Sequence, residues 1–260
     1  MHNAAFDALG LNWRYMAFDV EPSKLGVTLQ GLATANVVGV NLTVPHKILA
    51  MRHVDRMDLS VQKIKATNTL HFVQKKNKTL IQGYNTDGYG LLKALKESFS
   101  FRPKDKTIAM VGCGGAGQGA AIQCALSGAR KLILLNRTRS KAVALARRIQ
   151  TLRTKTICSL KYEPCDLVIQ ATSLGLNKSD PLPLSLSELK LLQPLLLLDM
   201  IYRPAETPIM RLAAKLGCKV SNGIGMLLHQ GAKSFEIWTH QKAPLKVMRQ
   251  ALHREIYGSE

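Results

Sequence analysis

With 260 residues, ordinary apolar content and few aromatics, the chain has material for one large or two modest buried cores. No apolar run of about 18 residues exists, Leu195–Leu198 being stopped by Asp199, and no basic segment followed by an apolar core opens the chain; this argues against a transmembrane helix, a membrane partner or a signal peptide. The formal net charge of +19 would suit a nucleic-acid binder, but the Lys and Arg are scattered without interleaved aromatics, so the better reading is a solvated basic surface that draws anionic ligands. An acidic growth environment is a second explanation of the charge. The five cysteines (113, 124, 158, 165 and 218) show neither C-x-x-C spacing nor clustered histidines. They read as reduced thiols of a cytoplasmic protein, with no metal and no disulfide framework.

Along the chain, Ala4–Leu11 reads as a helix, Tyr15–Val20 as extended, Leu25–Ala35 as a helix and Val37–Leu42 as a strand. Pro45–Val54 reads as a helix with proline at its first position. Leu70–Gln74 and Leu80–Gln82 are strands joined by a basic hairpin turn, Lys75-Lys76-Asn77-Lys78, and Tyr89–Phe99 is an amphipathic helix. Ser98–Asp105, with Pro103, is the expected linker. Beyond it, strands at Lys106–Val111, Lys131–Leu135, Asp166–Ala171, Leu195–Met200 and Lys219–Ser221 alternate with helices such as Ala116–Ser127 and Thr207–Leu216. Such alternation implies a doubly wound parallel sheet, an α/β fold. Gly225–Trp238 and Pro244–Tyr257 close the chain as helices expected to pack back on the first domain. The expected division is 1–100, 101–225 and 226–260, with a cleft between the domains for cofactor and substrate.

The sharpest local signal is Val111-Gly112-Cys113-Gly114-Gly115-Ala116-Gly117, which follows a buried strand and opens an Ala-rich helix. Gly112 allows a tight turn, Gly114 lets backbone approach a pyrophosphate, and Gly117 lets helix pack on strand. The helix then offers unpaired N–H groups and its positive dipole end to phosphate. At the end of the next strand, where an NAD site places an acid for the ribose, stands Asn136-Arg137-Thr138-Arg139-Ser140-Lys141, with three cations and no acid. Guanidinium groups and a hydroxyl suit a 2′-phosphate, which reads as NADP.

Two further segments carry candidate chemistry. In Asn41-Leu42-Thr43-Val44-Pro45-His46-Lys47, a lysine in the first turn of a helix sits at the unfavourable end of the dipole, a setting for proton transfer; the competing reading is a surface lysine at a frayed helix start. In Gly83-Tyr84-Asn85-Thr86-Asp87-Gly88, Thr86 or Asp87 either caps the following helix or supplies a carboxylate to such a lysine. Ala66-Thr67-Asn68-Thr69 is either a plain entry to a strand or the source of an amide for a polyhydroxylated ligand.

In order and jointly, these segments resemble the shikimate dehydrogenases, NADP-dependent reductases of 3-dehydroshikimate. The resemblance runs through Met1–Phe6, Asn41–Lys47, Ala66–Thr69, Asn85–Gly88, the glycine turn, Asn136–Thr138, Ala171-Thr172-Ser173-Leu174-Gly175, Asp199–Tyr202 and Asn222–Gln230. It implies that Lys47 gives or takes the proton at the reacting carbonyl, with Asp87 paired to it and also holding substrate hydroxyls. It implies that Thr43, Asn68, Tyr202 and Gln230 hydrogen-bond the shikimate ring. Gly112, Cys113, Gly114, Gly115 and Ala116 would wrap the pyrophosphate, and Asn136, Arg137, Thr138, Arg139, Ser140 and Lys141 the 2′-phosphate. Met200, Gly223 and Met226 would line the nicotinamide. The implied protein is a cytoplasmic monomer or homodimer acting on a small molecule in aromatic amino-acid biosynthesis, with no nucleic-acid partner.

The chain departs from that pattern in three places. Lys65 stands where the family has Gly, and Gln170 where it usually has Asn. The family also has a strand and a Ser-x-Ser motif just before its Met-His-Asn, whereas Met1-His2-Asn3 begins this chain. The expectation is therefore a first domain lacking its substrate-carboxylate clamp, either because the start is set late, at an internal Met, or because the chain is shortened. The coincidence of Met1 with a family Met favours the late start. The alternatives are a quinate/shikimate dehydrogenase of relaxed cofactor choice and a catalytically weakened NADP-binding paralogue.

Overall fold

The computed structural model describes residues 1–76 and 78–258. Asn77, in the expected hairpin turn, lies outside them. The chain forms two compact units, Met1–Gly90 together with the chain from Leu228 onward, and Leu91–Leu227.

The first unit begins with α1 (His2–Ala8), then α2 (Leu25–Thr34), β1 (Gly39–Asn41), α3 (His46–Leu49), β2 (Arg56–Met57), α4 (Leu59–Ile64), β3 (Thr69–Lys75), β4 (Lys78–Tyr84) and the start of α5 (Asp87–Phe99). Its sheet has the order β1-β3-β4-β2, with antiparallel β1/β3 and β3/β4 pairs and a parallel β2/β4 pair. Leu25, Leu29 and Ala33 recur at helical spacing along α2 and bury against Leu70, Phe72 and Ile81 of the sheet. The extended stretch expected at Tyr15–Val20 forms no strand. Tyr15 is instead clamped by Asn3, whose Oδ1 accepts from Tyr15 N at 2.6 Å while Nδ2 donates to Tyr15 O at 3.1 Å.

Pro45 is not the first residue of a long helix. With φ −92° and ψ 2° it stands outside as the N-cap of α3, which is one turn long and gives way to a 3-10 turn over Ala50–His53. α4 was absent from the sequence reading; it is started by Asp58, whose side chain accepts from Val61 N at 3.0 Å. It ends at Lys65, which takes the left-handed conformation, φ 56° and ψ 38°. A glycine enters that region without the Cβ penalty that an L-residue meets.

The second unit continues α5 and adds β5 (Thr107–Val111), α6 (Gly115–Leu126), β6 (Lys131–Leu135), α7 (Arg139–Thr151), β7 (Ile157–Ser159), β8 (Leu167–Gln170), α8 (Leu186–Leu192), β9 (Leu196–Asp199), α9 (Pro208–Lys215), β10 (Lys219–Ser221) and the start of α10 (Ile224–Thr239). Its six strands are all parallel, in the order β7-β6-β5-β8-β9-β10. That is the doubly wound dinucleotide-binding order, with its switch point between β5 and β8. β5 and β8 are buried along their whole length, as strands covered on both faces must be. Of the expected linker, Ser98–Asp105, α5 takes the first two residues, ending at Phe99, and Phe101 is buried. α8 carries a capping box, Ser185 with Glu188, whose S-x-x-E spacing is legible in the sequence. After α10, α11 (Leu245–Tyr257) packs against α1 in the first unit. Among the described residues, no helix is long and apolar enough to cross a membrane.

Lys65→Gly is expected to stabilise the protein by about 1 kcal/mol, raising the thermal midpoint by about 2–4 °C, because the side chain is exposed and only its backbone pays the left-handed penalty. A lower midpoint would contradict this. His2 is buried against Tyr15 and Trp238, and burial, followed by the neighbouring α-amino charge, pushes its imidazole down to about 3. The unfolded chain therefore binds a proton near pH 6.5 that the folded one refuses. The stability tied to neutral His2 is full above pH 6.5 and is lost as pH falls from there toward 3. Thermal melts should show a shallower acid loss for His2→Phe than for wild type across that window; parallel curves would refute it.

Candidate active site and nucleotide site

Lys47 lies in the single turn of α3, where the helix is too short to present much dipole. Its surroundings are set by a carboxylate instead: Lys47 Nζ donates to Asp87 Oδ2 at 2.7 Å, both side chains being about a quarter exposed (29% and 25%). The other carboxylate oxygen, Asp87 Oδ1, accepts from Asn68 Nδ2 at 2.9 Å. Asp87 is thus engaged through both oxygens rather than serving as a helix cap. The backbone reinforces the arrangement, since Thr67 N donates to Lys47 O at 2.8 Å and Asn68 N to Tyr84 O at 3.1 Å. Gln230, on α10, brings Oε1 within 3.3 Å of Asn68 Nδ2. The structure therefore gathers Lys47, Asp87, Asn68 and Gln230 in one unit. Thr43 lies on the same unit with its side chain exposed, and its carbonyl accepts from His46 N at 2.8 Å.

This cluster joins a cation able to give a proton, an anion able to accept hydroxyl protons, and two amides. Partial burial strengthens each interaction relative to open water. The sequence reading missed a second rank of polar residues behind it: Tyr15, Asn41, Thr69, Thr86 as a hydroxyl and Ser234. Tyr15 OH donates to Asn41 Oδ1 at 3.0 Å, and burial pushes the phenol up. Ser234 was discoverable as the helical i+4 neighbour of Gln230, and Asn41 opens the very motif that contains Lys47.

In the second unit, the glycine turn follows β5 at the switch point. Gly112 has φ +96°, and a Cβ there would strike Thr172 Cγ2 at 2.7 Å. A Cβ on Gly117 would fall on the Gly112 carbonyl, so this glycine is what allows α6 to approach the turn. A Cβ on Gly114 or Gly115 would meet nothing within 4 Å. Both are exposed, as is Ala116, and α6 has no side-chain cap. An open backbone surface at an uncapped helix N-terminus is the geometry that receives phosphate. Cys113 differs from its neighbours: its side chain is buried, its N–H donates to Asn136 Oδ1 at 2.8 Å, and burial pushes the thiol up to about 11. Asn136 Nδ2 also donates to Thr138 O at 2.9 Å, so Asn136 braces the turn against the end of β6. Arg137, Thr138, Arg139, Ser140 and Lys141 are all exposed, the last three in the first turn of α7. Among the described residues, no carboxylate pairs with Arg137, Arg139 or Lys141.

A buried pair holds the loops after β8 and β9. Asp199 accepts from Ile201 N at 3.0 Å and Thr207 Oγ1 at 2.6 Å; burial pushes its carboxyl up and these bonds oppose the rise. Gln170, opposite it in register, receives Thr172 N at 2.5 Å and donates to Leu174 O at 3.1 Å. Just beyond, Gly223 lies so close to Met200 that a Cβ would overlap the Met200 carbonyl, and Gly223 N donates to Ile201 O at 3.0 Å. Met226 is half-buried in the first turn of α10, and Tyr202, in the loop after β9, is exposed. Among the described residues, no group of three or more His, Cys, Asp or Glu could hold a metal ion.

Comparison with known proteins converges on one family. The profile of the shikimate dehydrogenase substrate binding domain matches residues 1–70, that of shikimate / quinate 5-dehydrogenase residues 93–178, and that of the shikimate 5′-dehydrogenase C-terminal domain residues 223–253. A shikimate dehydrogenase (NADP+) of Desulforamulus reducens is 40% identical over 98% of this chain and 90% of its own length. A shikimate dehydrogenase crystallised in complex with NADP+ superposes with a TM-score of 0.87 at 36% identity, covering 98% of this chain and 89% of that one. The shikimate 5-dehydrogenase of Thermus thermophilus, solved with NADP(H) and shikimate, gives 0.84 at 32% identity, covering 97% and 92%. On the combined strength of its two folds and these matches, the chain belongs to the shikimate dehydrogenase family.

Proposed function

We propose that this protein catalyses the reversible NADP-linked reduction of 3-dehydroshikimate to shikimate, as a cytoplasmic enzyme of aromatic amino-acid biosynthesis. The observation that carries the reading is the Lys47–Asp87 pair at 2.7 Å with Asn68 on the second carboxylate oxygen. When bound, NADPH supplies the hydride. Lys47 Nζ gives the proton to the carbonyl oxygen as it becomes a hydroxyl, and takes it back in the reverse direction. Asp87 keeps the ammonium aimed and accepts a hydrogen bond from a substrate hydroxyl. Asn68, Gln230 and Thr43 orient the ring through its hydroxyls, so that the reacting carbon is held still when the proton moves.

The second unit suits NADP. Gly114, Gly115 and Ala116 offer the open backbone face for the pyrophosphate, with Gly112 shaping the turn and Cys113 filling its underside. Arg137, Thr138, Arg139, Ser140 and Lys141 receive the 2′-phosphate, with Asn136 as their brace. The absence of an acid in that segment favours NADP over NAD and speaks against relaxed cofactor choice. Met200, Gly223 and Met226 give the nicotinamide its apolar platform. The substrate is a small anionic molecule, which the basic surface attracts.

Lys47→Ala is expected to lower kcat by about 10²–10⁴-fold in a spectrophotometric assay of NADPH formation from shikimate, with NADPH binding retained. Equal turnover in the two proteins would remove Lys47 from the mechanism. Arg137→Ala should raise KM for NADP by about tenfold or more, the worth of one charged hydrogen bond, and leave KM for NAD nearly unchanged. An equal rise for both cofactors would sink the 2′-phosphate assignment.

A further inference from the structure

Behind the Lys47–Asp87 pair lies a layer of buried hydroxyls that the proposed chemistry does not use. Its hub is Ser234, fully buried on α10 one turn after Gln230. Ser234 Oγ lies 2.8 Å from Thr69 Oγ1 and 3.3 Å from Thr86 Oγ1, accepts from Asn41 Nδ2 at 3.0 Å, and can donate to the Gln230 carbonyl at 3.1 Å. The two threonines in turn enclose the Asn68 amide. Its Oδ1 accepts from Thr86 N at 2.8 Å and from Thr69 Oγ1 at 3.2 Å. Its Nδ2 donates to Thr86 Oγ1 at 2.9 Å and to Asp87 Oδ1 at 2.9 Å.

An amide has two orientations that fill the same space. Turned over, Asn68 would set its oxygen against the Asp87 carboxylate and lose the bond that fixes it. The donors crowded on the Oδ1 side exclude that orientation, and the hydroxyls can supply them only if their single protons are ordered. With the Thr69 proton spent on Asn68 Oδ1, the 2.8 Å contact is Ser234 Oγ donating to Thr69 Oγ1, and Ser234 so sets the direction of the array. Stability alone does not call for such a device, since replacing both partners of a buried hydrogen bond by apolar groups of the same shape is nearly neutral.

We infer that Ser234 is a positioning residue for the Lys47–Asp87 pair: with Thr69 and Thr86 it locks the Asn68 amide with Nδ2 toward Asp87, and so holds the carboxylate against Lys47. The inference rests on reading that pair as the proton-transfer pair.

Steady-state kinetics of Ser234→Ala, run beside Lys47→Ala, test it. Ser234→Ala should lose about tenfold in kcat, with KM for NADP within about twofold of wild type and a cooperative thermal transition. Thr69→Ser, which keeps the hydroxyl, should hold wild-type kcat, while the near-isosteric Thr69→Val should lose it as Ser234→Ala does. Wild-type kcat in Ser234→Ala, or equal kcat in Thr69→Ser and Thr69→Val, overturns the positioning role even when Lys47→Ala is inactive. Should Ser234→Ala lose its thermal transition, the two threonine variants decide alone. Full turnover in Lys47→Ala instead overturns the proton-transfer reading itself.

Discussion

The hydrogen bond from Thr86 N to Asn68 Oδ1, 2.8 Å long and fully buried, fixes the geometry of the first unit's site. It joins the entry to β3 with the residue just before α5, and together with the Thr69 and Thr86 hydroxyls it sets which end of the Asn68 amide faces Asp87. With that orientation set, Asp87 Oδ1 is held by Asn68, and Oδ2 is left to meet Lys47. Lys47 is carried there by a one-turn helix whose carbonyl is itself tied to Thr67 N. The ion pair is thus the last link of a chain of bonds from the β3–β4 hairpin. A partly exposed pair without such support would be worth little and would wander.

The second unit is organised by exclusion rather than attraction. The Gly112 carbonyl lies where any Cβ on Gly117 would stand, and Ala171 and Thr172 crowd Gly112 from the neighbouring strand end. These contacts leave no latitude for side chains at the base of the turn. Space opens only at Gly114 and Gly115, so the phosphate-facing surface is backbone. Gln170 fits the same logic. One methylene longer than the asparagine that the family resemblance implies at this position, it still reaches the loop after β8 and braces Thr172 and Leu174 while buried beside Asp199. The departure at Lys65 is accommodated differently, by an exposed residue in a backbone conformation that favours glycine.

Much of the second unit was legible because its signals are local. The turn glycines, the apolar runs of β5, β6 and β8, and the basic Asn136–Lys141 segment each declare themselves within a few residues. α7 and α8 were not read, although Thr138 and Ser185 stand at their N-caps. The first unit was less legible. Tyr15–Val20 has strand-like composition but forms no ladder; at Tyr15 the backbone N and O are both taken by the Asn3 side chain. Pro45 suggested a longer helix than the one turn that forms, and β2 is only two residues long, too short for any periodic signal.

The sequence by itself determined the dinucleotide-binding unit, the acid-free basic finish to β6, and the family resemblance carried by motifs in their order. It left Lys47 open between a surface lysine and a reactive one, Asp87 between a cap and a partner, and Asn68 between a turn and a ligand. Those choices rest on contacts between residues 19 to 40 positions apart, and on Gln230, 162 positions from Asn68. Local propensity carries no information about such distances. Only the pairing register of β3 with β4 and the return of α10 to the first unit bring these side chains within hydrogen-bond reach, and with them the buried hydroxyls that no local motif announced.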